Sequence, residues 1–347
     1  MPVISSAATV LVTGANGYIG HWVVRTLLER GYSVRGTVRS ETKAQELVGF
    51  VSRIIPQAKD RFNAVVVPDI AEAGAFDEAA KGLDGIIHTA SPLATHTQVG
   101  DPQAYIRPAV EGTLNILKSA AKSDVKRVVV TSSMTAIISI TALPRTYTEE
   151  DWNDSAVQIV EQQGRDALFV FMYDASKTLA ERAAWDFVKK HKGEISFDLC
   201  TLLPTWVFGP LAGEHVPEPT ALSNTPFHMW RQLAEVPRPA AETMPWHNYV
   251  DVRDVADLHV RALEVAAAGG ERIICSSGVA TWEEWLANVD LPGREKPSKQ
   301  PSFPPHAYLE NDKAISIFGK EFKELPEIAR DVVEDYKSRD WLKYIKN

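Results

Sequence analysis

The sequence predicts an α/β fold, a doubly wound parallel sheet that carries a smaller, discontinuous second lobe. Three observations predict it. Apolar, β-branched runs alternate with amphipathic helical runs along most of the chain, the order that builds a parallel sheet with helices on both faces. A glycine-rich turn joins the first such run to the first helix. The alternation then breaks from about Gly209, where Pro210, Pro217, Pro219, Pro226, Pro237, Pro239 and Pro245 crowd together. It breaks again over Gly278 to Pro305, with Pro292, Pro297, Pro301, Pro304 and Pro305, and such stretches form the loops and short helices of a substrate lobe.

Strands are expected near 9–13, 32–39, 63–68, 85–89, 127–132, 198–203 and 272–276, and helices over about 20–30, 42–55, 76–81, 102–122, 174–192 and 254–266. The sheet domain then spans 1–208 with about 251–277. The lobe takes 209–250 and 278–347, with 145–172 contributing. Neither an internal repeat nor a low-complexity segment interrupts the pattern.

The first strand, Thr9-Val10-Leu11-Val12-Thr13, runs into Gly14-Ala15-Asn16-Gly17-Tyr18-Ile19-Gly20. The helix that follows, with apolar residues at helical spacing, stops at Gly31. This is the layout of a dinucleotide-binding, Rossmann-type βαβ unit. Glycines let the backbone turn tightly, approach a pyrophosphate and pack the helix on the sheet, and the free N–H groups at the helix start favour the anion. Isolated, such a turn would be only a tight turn; here strand and helix flank it in the right order. The spacing is G-x-x-G-x-x-G, not G-x-G-x-x-G.

Tyr173-Asp174-Ala175-Ser176-Lys177 points to chemistry. Tyr and Lys at i and i+4 share one helix face. An ammonium there favours the phenolate and lowers a phenol pKa that is about 10 when unperturbed. A Tyr so tuned exchanges a proton with a carbonyl oxygen, although the spacing alone also arises by chance on amphipathic helices. A third feature, Val128-Val129-Val130-Thr131-Ser132-Ser133, ends a buried-strand run in hydroxyls, where open parallel sheets bind ligands. A Ser here either holds a carbonyl or caps a turn, and nothing local separates Ser132 from Ser133.

Together these features resemble the extended short-chain dehydrogenase/reductase family over about Thr9 to Leu263. Asp69-Ile70, His88-Thr89-Ala90-Ser91, Leu203 to Pro210 and Asn248 to Ala256 match it as well. The resemblance implies Ser133, Tyr173 and Lys177 as the catalytic set. It also implies cofactor contacts from Gly14, Asn16, Gly17, Tyr18 and Ile19 to the phosphates and from Asp69 and Ile70 to the adenine. Thr89, Ser91, Tyr173 and Lys177 would lie on the nicotinamide side, and Pro204, Trp206 and Val207 at the carboxamide. Pro108 stands where sugar-nucleotide epimerases of the family carry Asn, which puts an Asn-based proton relay in doubt. With Thr37-Val38-Arg39 closing the second strand, it is similar to the branch of dihydroflavonol, cinnamoyl and anthocyanidin-type reductases and fungal aldehyde and ketone reductases.

NAD enzymes place an acid about 20 residues past the glycines for the ribose 2′-OH. This chain offers no acid before Glu41, whereas Arg39 can fork onto a 2′-phosphate with Lys43 beside it. NADPH/NADP+ is the expected cofactor, unless Arg39 is an ordinary surface charge. The expected substrate contacts are Leu93, Thr135, Trp206, Met244 and Trp246, with Met134, Phe169, Phe208, Met229 and Trp230 either beside them or in the core. His247 either touches substrate or packs. This apolar lining, with Arg231 and Arg238 its only nearby cations, suits an uncharged aldehyde or ketone better than a nucleotide sugar. The expected activity is an NADPH-dependent carbonyl reductase. A nucleotide-sugar epimerase/dehydratase and a non-catalytic NADP-binding protein are the alternatives.

Composition agrees with an enzyme of this kind. The chain has 347 residues, is 45% hydrophobic and carries a net charge of −8 without a Lys/Arg-rich run. Nucleic acid and anionic membranes are therefore not expected partners, and the protein is expected as a monomer or homodimer. Its two cysteines, Cys200 and Cys275, sit in apolar runs and form neither a disulfide nor a metal framework. The first strand begins within about eight residues, which leaves no room for a signal peptide, and a cytoplasmic location is expected. The uncharged run 128–144 is too short to span a bilayer.

Overall fold

A computed structural model describes residues 4–91, 100–139, 144–234, 246–292, 296, 305 and 307–345. The first half runs β1 (Thr9–Thr13), α1 (Tyr18–Glu29), β2 (Ser33–Val38), α2 (Glu41–Ile54), β3 (Phe62–Val66), β4 (Gly85–His88), α3 (Gln103–Ala120) and β5 (Arg127–Thr131). Next come β6 (Arg145–Tyr147), α4 (Asp154–Gln163), α5 (Phe169–Lys190), β7 (Asp198–Pro204), β8 (Trp206–Phe208), α6 (Asn224–Ala234), β9 (His247–Asp251), α7 (Val252–Glu264) and β10 (Arg272–Cys275). The chain ends with β11 (Gly278–Ala280), α8 (Trp282–Ala287), β12 (Ala307–Leu309), α9 (Asp312–Phe318) and α10 (Leu325–Ser338).

Seven strands pair in the order β10-β7-β5-β4-β1-β2-β3, every pair parallel. All seven fall where the apolar runs predict them. β4 and β7 are buried along their whole length, and β1 and β5 at all but one end residue, because helices cover both faces. The strand order reverses direction between β1 and β4, which opens a crevice at their carboxyl ends.

A second apolar cluster gathers Phe208, Met229, Trp230, Trp282, Trp285, Ile328, Val332, Tyr336 and Trp341 beneath a three-stranded sheet, β11-β9-β8. Trp230 packs edge-on against Tyr336 and Trp341 at 5.1 and 6.2 Å. The aromatic residues beyond Gly209 thus build a core of their own, and Phe208, Met229 and Trp230 belong to it, not to a pocket wall. A two-stranded pair, β12-β6, completes the set.

One expected helix is absent. Residues 70–82 run as successive turns, with Gly74 and Gly82 at φ +77° and +66°, a left-handed backbone that interrupts a helix on either side of 76–81. No helix among the described residues is long and apolar enough to cross a membrane. Cys200 and Cys275 are buried free thiols.

Candidate active site

The glycine turn is built as the spacing requires. Gly14 adopts φ +64°, and a Cβ there would stand 2.9 Å from the Ala90 backbone. The Gly17 amide donates to the Gly14 carbonyl at 2.9 Å. A Cβ on Gly20 would sit 2.2 Å from that same carbonyl, so α1 starts against the turn only because residue 20 has no side chain. Asn16, Tyr18 and Ile19 lie on this turn, and the Tyr18 hydroxyl donates to the Gly209 carbonyl at 2.7 Å, tying it to the start of the lobe.

The other predicted cofactor residues line the same carboxyl edge. Arg39 follows β2, is exposed, and has no side-chain partner among the described residues. Lys43 is occupied by an ion pair with Glu46 at 2.7 Å. Asp69 and Ile70 follow β3, in a segment held by the Asn115 amide, which donates to the carbonyls of Ile70 and Glu72 at 3.1 and 2.8 Å. Thr89 and Ser91 follow β4, and the Thr89 hydroxyl donates to the Thr13 carbonyl at 2.7 Å. Pro204 ends β7. Trp206 and Val207 continue into β8, where Val207 packs into the main core.

Tyr173 and Lys177 reach this edge from α5. The Lys177 ammonium donates to the Ser91 hydroxyl at 2.9 Å and lies 5.8 Å from the centre of the Tyr173 ring. Ser133 lies close enough to the Tyr173 phenol for its hydroxyl to draw the phenol pKa down. Here the structure separates the two serines: Ser133 faces Tyr173, while the Ser132 hydroxyl points the other way and donates to Glu181 at 2.6 Å. Thr135 donates to the Ser133 oxygen from both its amide and its hydroxyl, each at 3.2 Å.

The electrostatics depart from the sequence argument. Tyr173 is not lowered but pushed up to about 12, first by desolvation and then by the Asp174 carboxylate, against which the Ser133 hydroxyl pulls down. The ammonium is turned to Ser91, so burial prevails over attraction. Burial lowers Lys177 itself to about 8 and raises Asp174, which has an unpartnered Oδ1, to about 8.

Of the expected substrate contacts, Leu93 and Met244 lie outside the described residues, as does Arg238. Trp206 is half-buried, stacked on Phe208 at 6.1 Å and tilted over His228 at 4.9 Å. Trp246 precedes β9. His247 is buried, stacked at 4.3 Å on Trp282 and lowered to about 3, a neutral packing ring. Phe169 opens α5, one turn before Tyr173, and packs against Tyr105 at 5.6 Å. Among the described residues no cluster of three or more His, Cys, Asp or Glu could hold a metal ion.

Sequence reasoning missed the buried Glu181 and its partly buried partner Arg272, paired at 2.7 Å behind the site. The available signal was a carboxylate four residues past Lys177 on the same helical face.

Similarity to known proteins agrees with this geometry. The family model described as the NAD dependent epimerase/dehydratase family matches residues 10–275. A cinnamoyl-CoA reductase of Medicago truncatula is 36% identical, with 95% of this chain and 96% of that protein covered. Aldehyde reductase 2 of Sporidiobolus salmonicolor is also 36% identical, over 82% and 81%. The crystal structure of a yeast methylglyoxal/isovaleraldehyde reductase complexed with NADPH superposes with a TM-score of 0.82 at 30% identity, covering 96% of this chain and 99% of that one. The chain belongs to the NAD-dependent epimerase/dehydratase family, the extended short-chain dehydrogenases/reductases, and to its branch of cinnamoyl-type and fungal aldehyde reductases.

Proposed function

We propose that the protein is an NADPH-dependent carbonyl reductase that converts aldehydes or ketones to alcohols. One observation carries the reading: Ser133, Tyr173 and Lys177 converge beside Ser91, on the sheet edge where the glycine turn and Arg39 also stand. That edge fits a phosphorylated dinucleotide, because Gly14 and Gly20 leave a cradle that a Cβ would fill and Arg39 is unengaged. Similarity to reductases, one of them crystallised with NADPH, supports the same choice.

When bound, NADPH supplies the hydride for the carbonyl carbon. Ser133 holds the carbonyl oxygen by donating a hydrogen bond, with its own oxygen fixed by Thr135. Tyr173, protonated at neutral pH, gives its proton to that oxygen. Lys177 places positive charge behind the phenol as the proton leaves. Trp206 gives the site an apolar wall. Neutral aryl ketones, aldehydes and keto esters are the substrate class that such a wall accepts, since apolar burial is worth about 25 cal/mol per Å² whatever the shape.

The test is NADPH absorbance at 340 nm against a panel of neutral carbonyl compounds and nucleotide sugars. Turnover of the former is expected, and Tyr173→Phe should lose 10²–10⁴-fold in rate while still binding NADPH. Turnover of UDP- or GDP-sugars alone would assign the epimerase/dehydratase activity instead. Full activity in Tyr173→Phe would give the acid role to another residue.

A further inference from the structure

We propose that Glu181 and Ser132 are positioning residues that set the distance between the proton donor and the group holding the substrate oxygen. This rests on the roles proposed for Ser133, Tyr173 and Lys177. Tyr173, Lys177 and Glu181 follow one another at intervals of four on α5, within roughly 80° of arc at 3.6 residues per turn. Helix and strand end must therefore be held at a fixed separation if Ser133, on the strand side, is to meet Tyr173, on the helix side.

At the level of Lys177 the packing between helix and strand is incomplete. Between Lys177 on the helix and Thr131–Ser132 at the end of β5 lies a cavity of about 20 Å³, bounded also by Ser91 and Glu181. Its wall mixes polar groups with Ala90, Ala109, Val130 and Ala180, and it is large enough for one water. What closes the gap is the bond from the Ser132 hydroxyl to Glu181 at 2.6 Å. Ser132 is the residue immediately before Ser133, and its amide is already fixed to the Leu202 carbonyl at 2.8 Å. A displacement of its side chain by a few tenths of an ångström is carried directly into Ser133.

Glu181 is an anchor for this purpose because it is itself over-determined. It is 2% exposed and accepts from the Thr201 hydroxyl at 2.8 Å, the Arg272 guanidinium at 2.7 Å and the Trp185 indole at 3.3 Å. Arg272 in turn donates to the carbonyls of Glu149 and Asp151, at 2.5 and 2.8 Å, and stacks on Trp152 at 3.6 Å. The carboxylate thus joins the helix to the end of β5, the middle of β7 and the start of β10 and, through Arg272, to the loop before α4. A charged acceptor in such surroundings holds its donors more firmly than a neutral one.

Ser132→Ala removes only the tether and leaves the Glu181–Arg272 pair in place, so it tests positioning without dismantling the core. Its kcat should fall at least tenfold, with the carbonyl KM and the Kd for NADPH within about threefold of the parent. The primary isotope effect with 4-deuterated NADPH should increase, because the chemical step has become slower. Ser132→Thr, which keeps the hydroxyl, should recover kcat to within about threefold, and Glu181→Gln should slow kcat from the helix side. A purely structural role would lower the melting temperature of Ser132→Ala and leave kcat and the isotope effect unchanged. That result, or a Ser132→Thr as slow as Ser132→Ala, overturns the inference. An active Tyr173→Phe would instead overturn the reading beneath it.

Discussion

Replacing Arg39 with Ala isolates the preference for a 2′-phosphate. Arg39 comes directly after β2, is exposed and makes no hydrogen bond or ion pair with the described residues, so truncation breaks no internal contact. Lys43 cannot simply take its place, since its ammonium is paired with Glu46 at 2.7 Å. A hydrogen bond to a charged group is worth about 1.5–3 kcal/mol. At about 1.4 kcal/mol per decade, the Kd for NADPH should rise roughly 10- to 150-fold. NADH carries no phosphate there and its Kd should stay within about twofold. Fluorescence titration of both nucleotides measures this, and an unchanged melting temperature without nucleotide checks that nothing else moved. An unaltered protein that used NADPH and NADH equally well, or an Arg39→Ala that weakened both alike, would refute the assignment.

Two further outcomes follow from buried charge. Lys177 has its folded pKa lowered to about 8 by burial, so below that pH the folded state carries an ammonium that the unfolded state, near 10.5, holds more cheaply. This costs on the order of 3 kcal/mol near neutral pH and is relieved as pH rises from about 8 to 10.5. Lys177→Met should therefore melt higher than the parent at pH 7, with the gap narrowing toward pH 10.5 in thermal scans; a gap that widened with pH would contradict the sign. Asp198 holds the fully buried Arg127 through two bonds of 2.7 and 2.8 Å, and Asp198→Asn should cost about 3–5 kcal/mol in urea unfolding, against which an unchanged midpoint would count.

The sheet was legible in the sequence because a strand covered on both faces is largely apolar, as 128–130 and 199–203 are. The glycine turn was legible for a similar reason, since Gly14 and Gly20 stand where no side chain fits. The lobe was not. Its strands β8, β9 and β11 are three to five residues long, too short to display a period, and its aromatic residues read equally well as pocket or core until Trp230 is seen packed on Tyr336 and Trp341. Ser132 and Ser133 were indistinguishable because adjacent residues at a strand end point to opposite sides, and only the location of Glu181 decides which side is which.

The direction of the Tyr173 shift bears on which way the proposed reaction runs. An ammonium facing the phenol would bring it down toward neutrality, where it would serve as both acid and base. Burial and Asp174 instead hold it up near 12, so at neutral pH it is protonated almost completely. A protonated phenol is the form required to donate to a developing alkoxide, and the form that cannot accept a proton from an alcohol. The same surroundings lower Lys177 to about 8, close to where its charge can change within the working range. Under the proposed roles, the protonated Tyr173 serves carbonyl reduction at neutral pH, and alcohol oxidation should gain as alkaline pH begins to ionise it, which a pH profile of the two directions checks.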